Sequence, residues 1–143
     1  MTKIKAVTVF CSSSTRADAV FMDSARLMGE LLGKHGLSLV FGGGSVGLMG
    51  TLFEGAQAAG SRTIGITTRQ FVELEQAHPH CDELMVMETL AERKHALIDR
   101  GDAVIVMPGG LGTYEEFFDA FVGRVLGHHA KPIGLVNVNG ALG

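Results

Sequence analysis

The chain has 143 residues, 46% of them hydrophobic and 19% charged, a balance that fits one globular domain (residues 1–143) with a sizeable core and excludes a disordered segment. The net charge of −3, without any basic stripe, excludes a nucleic-acid polymer as the expected partner, although a small anion needs only a few local donors. Glycines number 20 against 3 prolines, which points to special turns and close backbone approaches and not to a linker.

The N-terminus runs directly into a strand pattern, Ala6-Val7-Thr8-Val9-Phe10, so no signal peptide is expected. Cys11 and Cys81 imply no disulfide framework, and a reducing cytoplasm is the expected location. No apolar run reaches the roughly 18 residues of a membrane span. Residues 16–35 then carry apolar groups at Val20, Ala25, Leu27, Met28, Leu31 and Leu32, a helical face stopped at Gly36. A second strand, Leu37–Phe41, leads into Gly42-Gly43-Gly44, after which Ser45 is placed to cap a helix running to about Ala59. Thr63–Thr67 reads as a third strand, 68–83 as a long polar loop, and Glu83–Met87 as a fourth strand. Thr89 opens a helix to about Arg100; Ala103–Met107 is a fifth strand, apolar enough to be buried on both faces. After the Pro108 turn a helix is expected from about Tyr114 to Leu126, then a sixth strand over Pro132–Val136. Such alternation predicts an α/β fold with a doubly wound parallel sheet, Rossmann-like, with ligands held outside the carboxyl ends of the strands.

Two glycine-rich turns follow strands directly and should open onto that same edge. Gly42, Gly44 and Gly47 fit a dinucleotide fingerprint, but the turn follows the second strand and not the first, and the third strand ends on Thr67, Thr68 and Arg69 where an acid for a ribose hydroxyl would stand. A packing-driven turn or the wall of another nucleotide-like ligand site, through Gly43 and Gly44, fits better than a nicotinamide site. In Pro108-Gly109-Gly110-Leu111-Gly112-Thr113-Tyr114-Glu115-Glu116 the glycines free the backbone and the amides of a helix start can cradle a phosphate. Glu116 has two readings. Thr113-x-x-Glu116 is the spacing of a capping box; alternatively the carboxylate faces the sugar of a bound phosphate ester, which suits a reaction developing positive charge. Arg93, in Glu92-Arg93-Lys94, is either a donor to phosphate or sugar oxygens or part of a solvated helix face. His78, His80 and Cys81 lack a second well-spaced ligand pair, so no metal is expected. His128-His129 suits the end of a helix, where it favours the dipole.

Together these segments resemble the Lonely Guy family, the cytokinin-activating nucleoside 5′-monophosphate phosphoribohydrolases, often labelled "lysine decarboxylase family". The resemblance rests on Val9-Phe10-Cys11-Ser12-Ser13, on Phe41 through Gly50, on Pro108 through Glu116, on Lys131 through Asn137 and on the Arg93-to-Glu116 spacing, and it covers essentially the whole chain. It implies hydrolysis of an N-glycosidic bond to free base and ribose 5-phosphate, with Arg93 and Glu116 as the catalytic pair. Gly110, Leu111, Gly112 and Thr113 would form the phosphate loop, and Lys94 and Glu75 would contact substrate. It implies no metal or redox cofactor, and a homodimer or higher homo-oligomer whose subunits contribute to each other's pockets.

The chain departs from the family pattern in three places. Leu90-Ala91 stand where Met-His is usual, Phe41 stands where Tyr is common, and the family's further C-terminal strand and helix are not seen before Gly143. The alternative function is a non-catalytic nucleotide or phosphorylated-cofactor carrier of the molybdenum-cofactor type. A dehydrogenase lacks its ribose acid, and no lysine stands out for a decarboxylase's pyridoxal cofactor.

Overall fold

The computed structural model describes residues 3–11, 19–74, 77–107 and 111–136, with the backbone alone at 111–115 and 119. Six strands, β1 (Ala6–Phe10), β2 (Ser38–Phe41), β3 (Thr63–Thr68), β4 (Glu83–Met87), β5 (Ala103–Val106) and β6 (Ile133–Leu135), form one sheet in the order β4-β3-β2-β1-β5-β6. Every pairing is parallel, with registers such as Val7↔Leu39, Val7↔Ala103 and Ile64↔Glu83. The chain steps outward from β1 to β4 and then crosses to β5 and β6. The reversal of direction between β1 and β5 is the place where such sheets leave a crevice at their carboxyl edge.

Helices α1 (Ala19–Lys34), α2 (Gly47–Ala58), α3 (Arg69–Glu73), α4 (Leu90–Arg100) and α5 (Leu111–Val125) connect the strands. The sheet is covered on both faces, which is why its central strands are mostly apolar, and the buried Thr8 hydroxyl of β1 is satisfied by donating to the Leu97 carbonyl. On one face α1 and α2 bury Ala25, Leu32, Leu48, Leu52 and Phe53 against Val7, Val9, Leu39 and Phe41. On the other, Leu97 of α4 and Ala120 of α5 meet Phe10, Val40, Ile64, Ile66, Val104 and Val106.

Several local readings change. The buried residues of α1 are Ala25, Gly29 and Leu32, while Leu27 is 54% exposed and Leu31 and Val20 are also exposed. The inward stripe is made of small residues because α2 comes very close. A Cβ on Gly29 would stand 2.5 Å from the Ala56 amide nitrogen, and one on Gly55 would run into the Arg26 carbonyl. Ser45 does not cap α2; the N-cap is Val46, which offers no side-chain hydrogen bond. The stretch 68–83 is not simply a loop. Thr68 Oγ1 accepts the Phe71 amide at 3.3 Å and starts α3, and Ala77 bridges Gly44. Thr89 caps α4 as its sequence predicts, accepting the Glu92 amide at 3.1 Å. At the end of α5 the chain turns through Gly127 (φ 82°), and His129 Nε2 donates to the Ala120 carbonyl at 2.9 Å.

Helix α5 begins at Leu111, three residues before the expected Tyr114. Thr113 therefore lies inside its first turn and not at the N-cap. With Thr113 inside the helix, the capping-box reading of Glu116 loses its partner position.

Candidate active site

Arg93 lies at the carboxyl edge of the sheet. It leaves α4 half-buried and reaches over the ends of β2 and β3, where Nε donates to the Ile66 carbonyl and Nη2 to the Gly42 carbonyl, each at 2.9 Å. The Phe71 ring lies over it, 5.3 Å from Cζ to the centroid. The solvated-face reading of Arg93 is thereby overturned. Burial lowers its pKa, opposed by the charge of Glu116, and a guanidinium remains protonated at any working pH.

Gly42 is explained by this placement. A Cβ there would collide with Arg93 Nη2, and one on Gly44 would lie 2.9 Å from Met49 Sδ. The turn is thus built around an arginine and a methionine. Gly43 (φ 76°) is buried beneath it, its carbonyl accepting the His78 amide at 2.6 Å. Gly42, Gly44, Val46, Met49, Thr67, Phe71 and Arg93 enclose a cleft of about 180 Å³.

Glu116, half-buried on α5, acts electrostatically on both Arg93 and Cys11. Cys11, buried at the end of β1, has its thiol pushed up to about 12 by burial and then by Glu116. The charge of one carboxylate thus reaches a guanidinium from α4 and a thiol from β1, at the crevice that the strand order creates. Leu111, Gly112 and Thr113 form the first turn of α5, whose backbone amides are those left unpaired at a helix start. Lys94 follows Arg93 and is half-buried. Gly110 and Glu75 lie outside the described residues.

His78 stacks on Phe53, with ring centroids 3.7 Å apart, and its Nδ1 accepts the His80 amide at 3.1 Å. Its role is to pin the 77–80 segment to the glycine turn. Among the described residues no group of three or more His, Cys, Asp or Glu is arranged to hold a metal ion. No helix among them is long and apolar enough to cross a membrane.

The sequence reading missed Phe71, Met49 and Val46 as cleft residues. The signal for Phe71 was the Thr68-x-x-Phe71 spacing, a threonine cap ahead of an apolar pair, which announces a short helix.

The fold and this cleft define a parallel-sheet α/β protein with a charged pair at its strand-order reversal. The family described as "Possible lysine decarboxylase" matches residues 49–141, and the chain belongs to it. It is 41% identical over 131 residues to the cytokinin riboside 5′-monophosphate phosphoribohydrolase of Mycobacterium tuberculosis, covering 92% of this chain and 70% of that protein. It is 40% identical over 136 residues to the protein of the same name from Rhodococcoides fascians, covering 94% and 69%. Among solved structures it resembles the molybdenum cofactor binding protein of Rippkaea orientalis, with a TM-score of 0.77 and 25% identity over 94% of this chain and 77% of that one.

Proposed function

We propose that this chain, working as a single domain, is an enzyme that hydrolyses the N-glycosidic bond of a nucleoside 5′-monophosphate, either a cytokinin riboside 5′-monophosphate or AMP. The observation that carries the proposal is the pairing of a clamped Arg93 with Glu116 beside the first turn of a helix. The names of the relatives agree with it.

In this reading the amides from Gly110 to Thr113 hold the 5′-phosphate, aided by the positive end of the α5 dipole. A carboxylate beside a phosphate dianion is a poor choice for binding alone. It is favourable when the sugar acquires positive charge, so Glu116 stabilises the oxocarbenium-like state and orients the attacking water. The bond from C1′ to the base nitrogen breaks with its electron pair going to the base. The water oxygen bonds to C1′, and the proton balance is closed by protonation of the released base. Arg93 positions the sugar or the leaving base. Lys94 and Glu75 contact the substrate, and Gly43 and Gly44 wall the cleft. The reaction needs no metal or redox cofactor.

The site is proposed to work in a homo-oligomer in the cytoplasm. Phe118, Phe121, Val122 and Val125 form an exposed apolar stripe at i, i+3, i+4 and i+7 on α5, with Phe118 at 57% and Val125 at 67% exposure. A stripe of this kind suits an interface between subunits.

Incubation with AMP and with prenylated AMP, followed by chromatography, tests the activity. Free base and ribose 5-phosphate are the expected products. Nucleotide binding without base release from either compound would instead support a non-catalytic binding protein on the same fold, as the Rippkaea orientalis molybdenum cofactor binding protein is by name.

A further inference from the structure

We propose that Phe71 is a positioning residue for Arg93, fixing the plane of its guanidinium over the cleft. The inference rests on the hydrolase reading of that cleft and adds to it a residue outside the glycine turns and the charged pair.

The two hydrogen bonds of Arg93, to Ile66 and Gly42, run along one edge of the guanidinium. They fix the edge, but the plane can still tilt about the line joining the two carbonyls. A third contact opposes that tilt, and Arg93 Cζ lies over the Phe71 ring, 5.3 Å from its centroid, within the range of a cation–π contact. Both side chains line the cleft, so the tilt decides where the remaining guanidinium donors point.

Phe71 is itself held from two sides. Thr68, buried at the end of β3, accepts the Phe71 amide and sets the start of α3. Next to it, Arg69 Nε donates to Glu88 at 3.1 Å. Glu88 directly precedes Thr89, the cap of the helix that carries Arg93. The start of the short helix bearing the ring is thus linked, by a surface ion pair, to the residue preceding the cap of the long helix that bears the arginine.

The contact needs an aromatic face and not merely apolar volume, which separates positioning from packing. The test is a double-mutant cycle with Phe71→Leu, Phe71→Tyr and Arg93→Lys, read as kcat and KM for AMP with thermal melting in parallel. Phe71→Leu is expected to lower kcat about tenfold with little change in KM, whereas Phe71→Tyr stays near wild type. In the Arg93→Lys background, Phe71→Leu is expected to add almost nothing. Equal losses in the Leu and Tyr variants, or an undiminished Leu effect in the Arg93→Lys background, would overturn the proposal. If wild-type protein releases no base, the hydrolase reading has failed on its own account. The same cycle read as the Kd for AMP by calorimetry then tests the positioning: an aromatic preference that vanishes in the Arg93→Lys background supports it, and additive losses overturn it.

Discussion

Arg93 occupies the space that a side chain at residue 42 would need. Its Nη2 donates to the Gly42 carbonyl at 2.9 Å and blocks any Cβ on that glycine. The first glycine of the turn therefore leaves room for a side chain that lies 51 residues further along the chain.

Gly42→Ala should consequently behave as an Arg93 variant. The residue is not at positive φ, so the backbone tolerates alanine, but the guanidinium must move. In the mechanism proposed above, displacement of Arg93 by about 1 Å is expected to cost roughly a hundredfold in kcat. Circular dichroism should show the fold retained. Wild-type kcat in Gly42→Ala would show that the clamped position is not the working one.

The contact between α1 and α2 predicts a stability effect with no effect on chemistry. Gly55→Ala pushes a methyl group into the Arg26 carbonyl, and Gly29→Ala into the backbone of Leu52 and Ala56. Each should destabilise by about 1–3 kcal/mol, the usual cost of overpacking. Gly134→Ala, whose Cβ meets nothing within 4 Å, is the control. Urea midpoints for the three variants check the ranking.

Acid should weaken the fold in two stages. Burial holds the His78 pKa below its ordinary 6.5, helped by His80 and opposed by Glu54. Its neutral form is the native one, so the unfolded chain binds the proton first. The stability tied to this site is complete above about pH 6.5 and is lost as the pH falls from there through the lower folded value. Asp82 is held down chiefly by the Thr63 amide, and Asp102 by the amides of Lys5 and Ala6. Their contribution is present above the ordinary carboxylate value of 3.8 and is lost as the pH falls through their depressed folded values. His78→Phe keeps the stack on Phe53 and should flatten the first stage only. Urea midpoints measured across the pH range decide this, and an unchanged first stage in His78→Phe would contradict it.

The α5 stripe predicts an assembly. Phe121→Glu or Val125→Glu places a charge in the apolar face; Phe121→Glu also removes a ring contact with Phe117, 5.9 Å between centroids, so Val125→Glu is the cleaner variant. Sedimentation should show a homo-oligomer for the wild type and a smaller species for either variant. A wild-type monomer would leave the stripe without this role.

Much of the architecture was legible because its signals are local. The runs of β1 and β4 have the bounds their sequence predicts, and Thr89 starts α4 where a capping residue should. The inward face of α1 was not legible, since hydrophobic periodicity does not register Gly29 and the close approach exists only once α2 is packed. Helix α3 escaped notice because five residues carry too little periodicity, leaving only the Thr68 cap to announce it. The early start of α5 is hidden by Gly112, a poor helix former inside the first turn. In the site, Arg93 and Glu116 were identifiable as candidates, but each had a plausible structural role. The carbonyls of Ile66 and Gly42 count against a solvated Arg93, and the position of Thr113 inside α5 counts against a capping Glu116; none of these is a property of nearby sequence.

The central claim is that Glu116 acts in breaking the glycosidic bond. The most direct measurement is adenine release from AMP by wild-type protein and by Glu116→Gln, with AMP binding to both followed by calorimetry. The account predicts steady release by the wild type, with equimolar ribose 5-phosphate. It predicts loss of release in Glu116→Gln while AMP binding is largely kept. Wild-type turnover by Glu116→Gln would contradict it.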